Sequence, residues 1–568
     1  MIDGRPSRWR RSELIVLGGI VAAFLLHVAW FWTIQEDAFI GYRYVRHLVE
    51  GHGLRWNIGE PPVEGYTDFL WLILLSGFMR LGAEVPLSAQ LLGTMFGAAT
   101  VVLTAAAARA LYPPPGRVWL LPPALLALSG CFAAWAPSGM ETSMFAFLVL
   151  AGFVLYVVER SGESRWPWSA VVLALAAMTR PEGVLVFVVT LAHRVWWHGR
   201  GEARAHLAWL LAFAVPFGLY FAWRYHYYGF LLPNTFYAKV GTTPDQVVRG
   251  VKYVGKFFIV MGVPLLALPA FVLGRRSFVL SYAAALSAFY IVYVALVGGD
   301  YMAYFRFLVP VLPFLCLALP LTLVAARRRW PRSAPARAAA VALLVVATLI
   351  PSANLEALPR DPPPSGPFLR AHHLPDSWYM KMRHVTAFPR LISERWYVNR
   401  FALLGTWLER HLPREASFAY YAMGVIGWTC DRAMLDMYGV NDVYIAHKTV
   451  ATMGRGVAGH DKRDFLYVLR REPTYILLSR HFRTAPVGAG QLEEVYRHEL
   501  ASLGPAERRL AARYLARYVP DNVWLTDTAN REAGYAIFLR LTACSTDEGC
   551  RRCRACLRGP APEAEGGG

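Results

Sequence analysis

Eleven apolar stretches fill the first 352 residues, at about 14–33, 86–110, 117–136, 139–158, 166–179, 182–197, 205–223, 255–273, 278–297, 306–325 and 337–352. A hydrocarbon layer about 30 Å thick takes roughly 20 apolar helical residues to cross, and these runs reach or approach that length. A chain patterned this way cannot fold as one soluble globule; it is expected to be a polytopic α-helical membrane protein. The pair around 166–197 is short, and its halves meet at Pro181. A further apolar stretch, 68–83, ends in Arg80 and Glu84. Counting it as a span would reverse the side of every later turn.

Charge decides between the two arrangements. With 68–83 lying along the outer interface, the inner turns and the N-terminus gather 18 basic and five acidic residues, and the rest of 1–352 holds 11 of each. Positive charge collects on the cytoplasmic side, so this arrangement is the one expected. Arg5, Arg8, Arg10 and Arg11 precede a first run too long for a signal peptide and followed by no small-residue cleavage site, which reads as an uncleaved helix with its N-terminus inside. The formal net charge of +19 then orients the chain rather than recruiting a ligand: +13 falls on the cytosolic side, zero across spans and outer loops, and +6 after residue 352. No dense basic patch is left for nucleic acid. The expected location is a plasma membrane, with the N-terminus on the cytoplasmic side and the C-terminal part on the outer side.

Residues 353–568 are richer in charge, with 29 basic and 23 acidic side chains. Clustered prolines at 359–367 mark 353–375 as a linker. The segments 416–421 and 475–478 read as buried strands and 464–471 and 506–518 as helices, suggesting a soluble α/β domain over 376–545. The tail, 546–568, is expected to be disordered from about 557 on. Its region carries Cys544, Cys550, Cys553 and Cys556, a spacing that suits either disulfides or a thiolate metal site. Cys131 and Cys316 lie in apolar runs and read as small buried hydrophobes.

The outer turns collect the chemistry. The first outer loop, about 34–85, opens with Glu36-Asp37 and continues to Glu64-Gly65-Tyr66-Thr67. Later turns bring Glu141, Arg180, Arg224, Asn234, Tyr237, Lys239, Asp300 and Arg306 to helix ends on the same side. Ionisable groups at a membrane interface cost free energy unless they have a partner or a task. A transporter would instead show polar groups at mid-membrane and an internal repeat, and neither is evident. Outward carboxylates, cations and aromatic rings suit transfer of a sugar from a lipid phosphate. The phosphate is already a leaving group, cations hold its growing charge, and a carboxylate takes the proton of the acceptor hydroxyl.

At these residues the chain resembles a known family. The run Glu36-Asp37-Ala38-Phe39-Ile40-Gly41-Tyr42-Arg43-Tyr44 with Glu64-Gly65-Tyr66-Thr67 is similar to the "DDAFISYRYARNL…VEGYTNFLW" opening of GT-C fold membrane glycosyltransferases. Within these it looks most like the terminal arabinofuranosyltransferases of actinobacterial cell walls. Gly139-Met140-Glu141-Thr142, Thr179-Arg180-Pro181-Glu182-Gly183, Leu232 to Lys239, Gly299-Asp300 with Arg306-Phe307, Leu435 to Asp442 and Gly459-His460-Asp461-Lys462 extend the resemblance to about residue 465. It implies a polyprenyl-phosphate sugar donor and a first-loop carboxylate as catalytic base, here Asp37 or its neighbour Glu36, which stands where the family pattern has Asp. From charge type, Arg180, Arg224, Lys239 and Arg306, with Tyr237 assisting, are expected on the donor phosphate. Glu64, Tyr66, Glu141, Asp300, Asn234, His460 and Lys462 are expected on acceptor or sugar hydroxyls. The acceptor would be an envelope glycan or a surface protein. No cofactor is assigned; a divalent metal requirement stays open, with no dedicated ligand cluster behind it outside the cysteine tail. The competing readings are a transporter or flippase for lipid-linked sugars and a non-catalytic, glycan-binding envelope scaffold.

Overall fold

The computed structural model describes residues 9–114, 116–160, 166–199, 202–241, 243–327, 334–349, 388–477, 482–501, 503–527 and 532–542. The linker 353–375 and the cysteine tail lie outside the described residues. Two compact units emerge, and neither is continuous in sequence. The first holds 1–34, 67–229 and 241–393; the second joins 35–66 and 230–240 to 394–568.

The first unit is a helical bundle. Among the described residues, six helical segments are long and apolar enough to cross a membrane: Arg11–Trp30, Val85–Leu111, Thr142–Arg160, Ala203–Tyr228, Phe278–Leu296 and Ala303–Leu323. The eleven expected spans are thus not eleven regular helices. The 255–273 stretch belongs to two helices, Pro244–Met261 and Pro264–Leu273, bent by 94° where Pro264 cannot continue the hydrogen-bond ladder. The 117–136 stretch breaks at Ser129, whose φ of −73° and ψ of 113° are extended, into Leu121–Leu128 and Gly130–Trp135. Trp168–Thr179 and Glu182–His198 are separate short helices, each entered through a proline.

Phe69–Arg80 has 12 residues, about 18 Å of helix at 1.5 Å per residue and too short to cross about 30 Å. An ion pair supports the same count of crossings. Arg109, in the last turn of Val85–Leu111, lies 3.1 Å from Glu13, in the first turn of Arg11–Trp30. Those two helix ends therefore share one side of the bundle, which requires that the stretch between them does not cross.

Inside, rings interlock: Phe153 stacks on Tyr282 at 4.9 Å, and Phe187 stacks on Trp209 at 4.9 Å and on Phe213 at 3.6 Å. Outside, Leu26, Val215, Leu219, Phe289 and Val292 are exposed, an apolar surface that suits hydrocarbon rather than water.

The second unit is built on a five-stranded mixed sheet in the order β2-β1-β3-β5-β4, with β1 Ser417–Tyr420, β2 Ala433–Asp436, β3 Tyr475–Leu477, β4 Tyr518–Asp527 and β5 Glu532–Leu541. β1 runs parallel to β2 and β3, and β5 antiparallel to β3 and β4. Its core packs Ala419, Leu435, Ile476, Ile537 and Leu539 of the sheet against Phe465, Leu469, Ala511 and Leu515 of two helices. The expected strands and helices of this half are present, and β2, β4 and β5 join them.

Segment 35–66 folds into the same unit. Its helix Ala38–Val49 buries Tyr42, Arg43, Tyr44 and Val45. A buried guanidinium is costly unless its donors are placed. Arg43 donates to the carbonyl oxygens of Trp56 at 2.8 Å, Gly427 at 2.8 Å, Cys430 at 3.0 Å and Arg432 at 2.9 Å. Trp56 and Asn57 add bonds to the Met434 backbone in β2.

Candidate functional site

The site residues fall into two constellations, one in each unit. In the second unit, backbone bonds from Ala38, Phe39 and Ile40 to the carbonyls of Gln35, Glu36 and Asp37, each 3.2 Å, wind the acidic pair into the start of Ala38–Val49. Asp37 directly precedes that helix and is partly exposed, and its side chain does not cap the helix end. Glu36 is held differently. Its Oε1 accepts the Val425 N–H at 3.2 Å, and Gly424 passes so close that a Cβ there would overlap the Glu36 carbonyl oxygen. Desolvation, then the charge of adjacent Asp37, push the Glu36 carboxyl up to about 8. Both carboxylates are partly exposed; the difference shown is that Glu36 is held by the Val425 N–H and the close approach of Gly424.

Around them the remaining motifs knit the unit together. The Tyr44 hydroxyl has two acceptors within reach of its one proton, Val63 O at 2.7 Å and Asn441 Oδ1 at 3.0 Å, and itself accepts the Gly65 N–H at 3.0 Å. Gly65 lies against the same amide, with no room for a Cβ. Glu64 and Tyr66 are buried on either side of it, with the Tyr66 ring 5.0 Å from Tyr44. Asp436 accepts from the backbone of Tyr438, Gly439 and Asn441, closing the turn after β2, and burial lifts its carboxyl to about 6. Asn234 donates to the carbonyls of Gly439 and Val440, each at 2.9 Å, and Lys462 to those of Tyr237 at 2.8 Å and Ala446 at 2.7 Å. Both thus spend side-chain donors within the unit. Above Lys462, Tyr237 stacks on the exposed His447 ring at 4.1 Å. Desolvation and the charge of Lys462 hold that imidazole below its usual value. Lys239 is partly buried with its stem against Gly459, and the His460 ring meets Tyr438 at 4.5 Å.

In the first unit, Arg180 is buried between two carboxylates. It bonds Glu141 and reaches Glu182 Oε1 at 2.8 Å. Asp300 lies 2.8 Å from Arg306, whose guanidinium is 4.9 Å from the Phe307 ring centroid; Arg180 sits 5.3 Å from the same ring. The residues leading into Arg306 are strained: Tyr304 and Phe305 adopt φ of 55° and 50°, rare for bulky side chains. The Tyr304 carbonyl is fixed by Cys131 Sγ at 2.6 Å and Trp135 Nε1 at 3.2 Å. Asp68 joins this group. Desolvation, then the nearby Glu141 charge, push its carboxyl up to about 8. Arg224 is buried near the end of Ala203–Tyr228, 5.7 Å from the Phe221 ring.

Asp68, Glu182, His447 and Arg43 were not among the sequence candidates. Asp68 adjoins the Glu64–Thr67 motif, and Arg43 and Glu182 lie inside motifs already noted, so the motifs were the signal for all three; nothing local marks His447. Among the described residues, no group of three or more His, Cys, Asp or Glu is placed to hold a metal ion.

Comparisons with known proteins complete the description. Residues 392–538 match a family described as a domain of unknown function (DUF8728). No curated protein matches the chain. Among solved structures, ArnT from Cupriavidus metallidurans bound to undecaprenyl phosphate aligns with a TM-score of 0.53 at 13% identity, over 94% of this chain and 98% of its own. The apo state of the same protein aligns at 0.52, again at 13% identity, over 93% and 98%. An Archaeoglobus fulgidus oligosaccharyltransferase tethered to an acceptor peptide aligns at 0.44, at 11% identity, over 91% and 74%. At such identities the ArnT likeness is one of fold, and the chain is a polytopic helical membrane protein of the GT-C type with a small sheet-bearing C-terminal domain.

Proposed function

We propose that this protein is a membrane glycosyltransferase that moves a sugar from a polyprenyl-phosphate donor to a hydroxyl of an envelope glycan or surface protein, on the periplasmic face. The observation that carries the reading is the acidic pair itself: two adjacent, partly exposed carboxylates at the start of a helix clamped by Arg43, with Glu36 held by the Val425 N–H. The GT-C fold and the undecaprenyl phosphate bound to ArnT support a lipid-phosphate donor. The first-loop and 232–239 motifs support arabinofuranose as the sugar.

In this mechanism the Asp37 carboxylate takes the proton of the acceptor hydroxyl as its oxygen attacks the anomeric carbon. The bond from that carbon to the phosphate oxygen breaks, and polyprenyl phosphate leaves with one more negative charge. Cations stabilise that charge as it develops. Lys239, with Tyr237, is proposed for this task, as are Arg180, Arg224 and Arg306. Arg180 and Arg306 are held by carboxylates, which fixes where their positive charge stands. Asp300, Glu141, Glu64, Tyr66, Asn234, His460 and Lys462 remain proposed contacts to sugar or acceptor hydroxyls.

A positioned general base contributes about 10²–10⁴-fold. Asp37→Asn, at unchanged membrane content, is expected to lower transfer from polyprenyl-phosphate arabinofuranose by at least that factor. Mass analysis of envelope glycans from cells lacking the protein is expected to miss one terminal sugar. Labelled lipid-linked sugar that crosses vesicles with no new glycosidic bond would replace this reading with a flippase.

A further inference from the structure

We infer that the C-terminal domain, of which residues 392–538 match a domain of unknown function, serves to fix the catalytic pair, with Glu36 as the positioning residue and Gly424–Val425 as its seat. The inference rests on Asp37 being the base. It starts from the short helix Gly424–Thr429, both ends of which are taken by the first loop. At its start, the Val425 N–H is bound by Glu36. At its end, the carbonyls of Gly427 and Cys430 are bound by Arg43, and that of Trp428 by Arg46 at 2.8 Å.

An acid at the amino end and cations at the carboxyl end satisfy the groups a helix leaves unpaired there. Glu36 and Arg43 are seven residues apart, about two helical turns, so both come from one face of the segment that begins Ala38–Val49. The two helices lie side by side in the same direction, pinned at both ends. A slip or rotation of Ala38–Val49 would break both pins and displace Asp37. Misplacing a reacting group by about 1 Å costs about 10²-fold.

The charged groups facing Glu36 are Asp37 on its own segment and Glu394 on Phe388–His411. Desolvation and the Asp37 charge raise the Glu36 carboxyl and so favour its neutral form, which keeps the seat without adding a second charge beside Asp37.

The test uses the full-length protein in nanodiscs, with polyprenyl-phosphate arabinofuranose as donor and Asp37→Asn as the inactive reference. Glu36→Ala is expected to lower kcat at least tenfold with the donor KM within twofold. Glu36→Gln, which keeps the acceptor oxygen, recovers most of that loss. Gly424→Ala, which drives a methyl group into the Glu36 carbonyl, behaves like Glu36→Ala; if it fails to insert, the two Glu36 variants decide. Wild-type kcat falls as pH rises through about 8, and Glu36→Gln lacks that fall. Independently of turnover, hydrogen exchange over 424–429 and 38–49 is slow in wild type and Glu36→Gln and fast in Glu36→Ala.

Wild-type kcat and slow exchange in Glu36→Ala, with Asp37→Asn inactive, would overturn the inference and leave the proposed function standing. A Glu36→Gln protein as inactive as Asp37→Asn would make Glu36 itself catalytic and also overturn it. An active Asp37→Asn would remove the proposed base instead.

Discussion

Asn234 and Lys462 carry hydrogen-bonding chemistry that reads equally well as ligand contact or as internal suture. In the sequence they were polar groups in outward loops; in the structure each binds two backbone carbonyls, the nearer of those partners to Asn234 lying 205 residues along the chain. Residue type was legible and the destination of the donors was not, because it depends on segments that only the fold brings together. Leaving buried carbonyls unpaired costs about 1–3 kcal/mol each. Asn234→Leu is therefore expected to destabilise the second unit by about 2 kcal/mol or more, read as an earlier urea midpoint for proteolysis of the full-length protein. For Glu36 the sign follows from a folded pKa near 8 against an ordinary value of about 4.3. Its contribution to stability is complete below about pH 4, is lost as pH rises through about 8, and is constant above that. Glu36→Gln should remove this component from the pH dependence of the thermal midpoint.

At the scale of elements, apolar run length located most helical stretches of the bundle, but it missed the first eleven residues of Pro244–Met261 and the breaks within the runs. The extended conformation of Ser129 and the 94° bend before Pro264–Leu273 interrupt stretches that look continuous, because an apolar residue at a kink is as hydrophobic as one inside a helix. The status of 68–83 could be decided from charge, and the pairing of Glu13 with Arg109 gives the same parity. That pair offers a test. Arg109→Glu should reduce the membrane-inserted yield several-fold by setting two carboxylates against each other. Adding Glu13→Arg should restore it, as measured by the folded fraction in size-exclusion chromatography. Equal yields in the single and double variants would show that the pair does not join those helix ends.

At the scale of the molecule, composition divided the chain into a membrane half and a soluble half, but the compact units take 35–66 and 230–240 out of the first half and join them to 394–568. Periodicity cannot reveal such an exchange; it becomes visible only where Arg43, Trp56 and Asn234 find carbonyls hundreds of residues away. A fragment spanning 394–542 alone should therefore expose Ile426, Cys430 and Met434 and be cleaved quickly by protease, whereas co-expression with 1–393 should protect it. The same exchange sets an order in time. Arg43 leaves the ribosome 384 residues before Gly427, and at about 5–20 residues per second its partner follows roughly 20–80 s later. Throughout that interval a nascent chain already anchored in the bilayer carries an acidic pair with no seat. Under the proposed function, catalytic competence would then arrive late and all at once, as the final third of the polypeptide is delivered, so a truncated product would sit in the membrane without turnover.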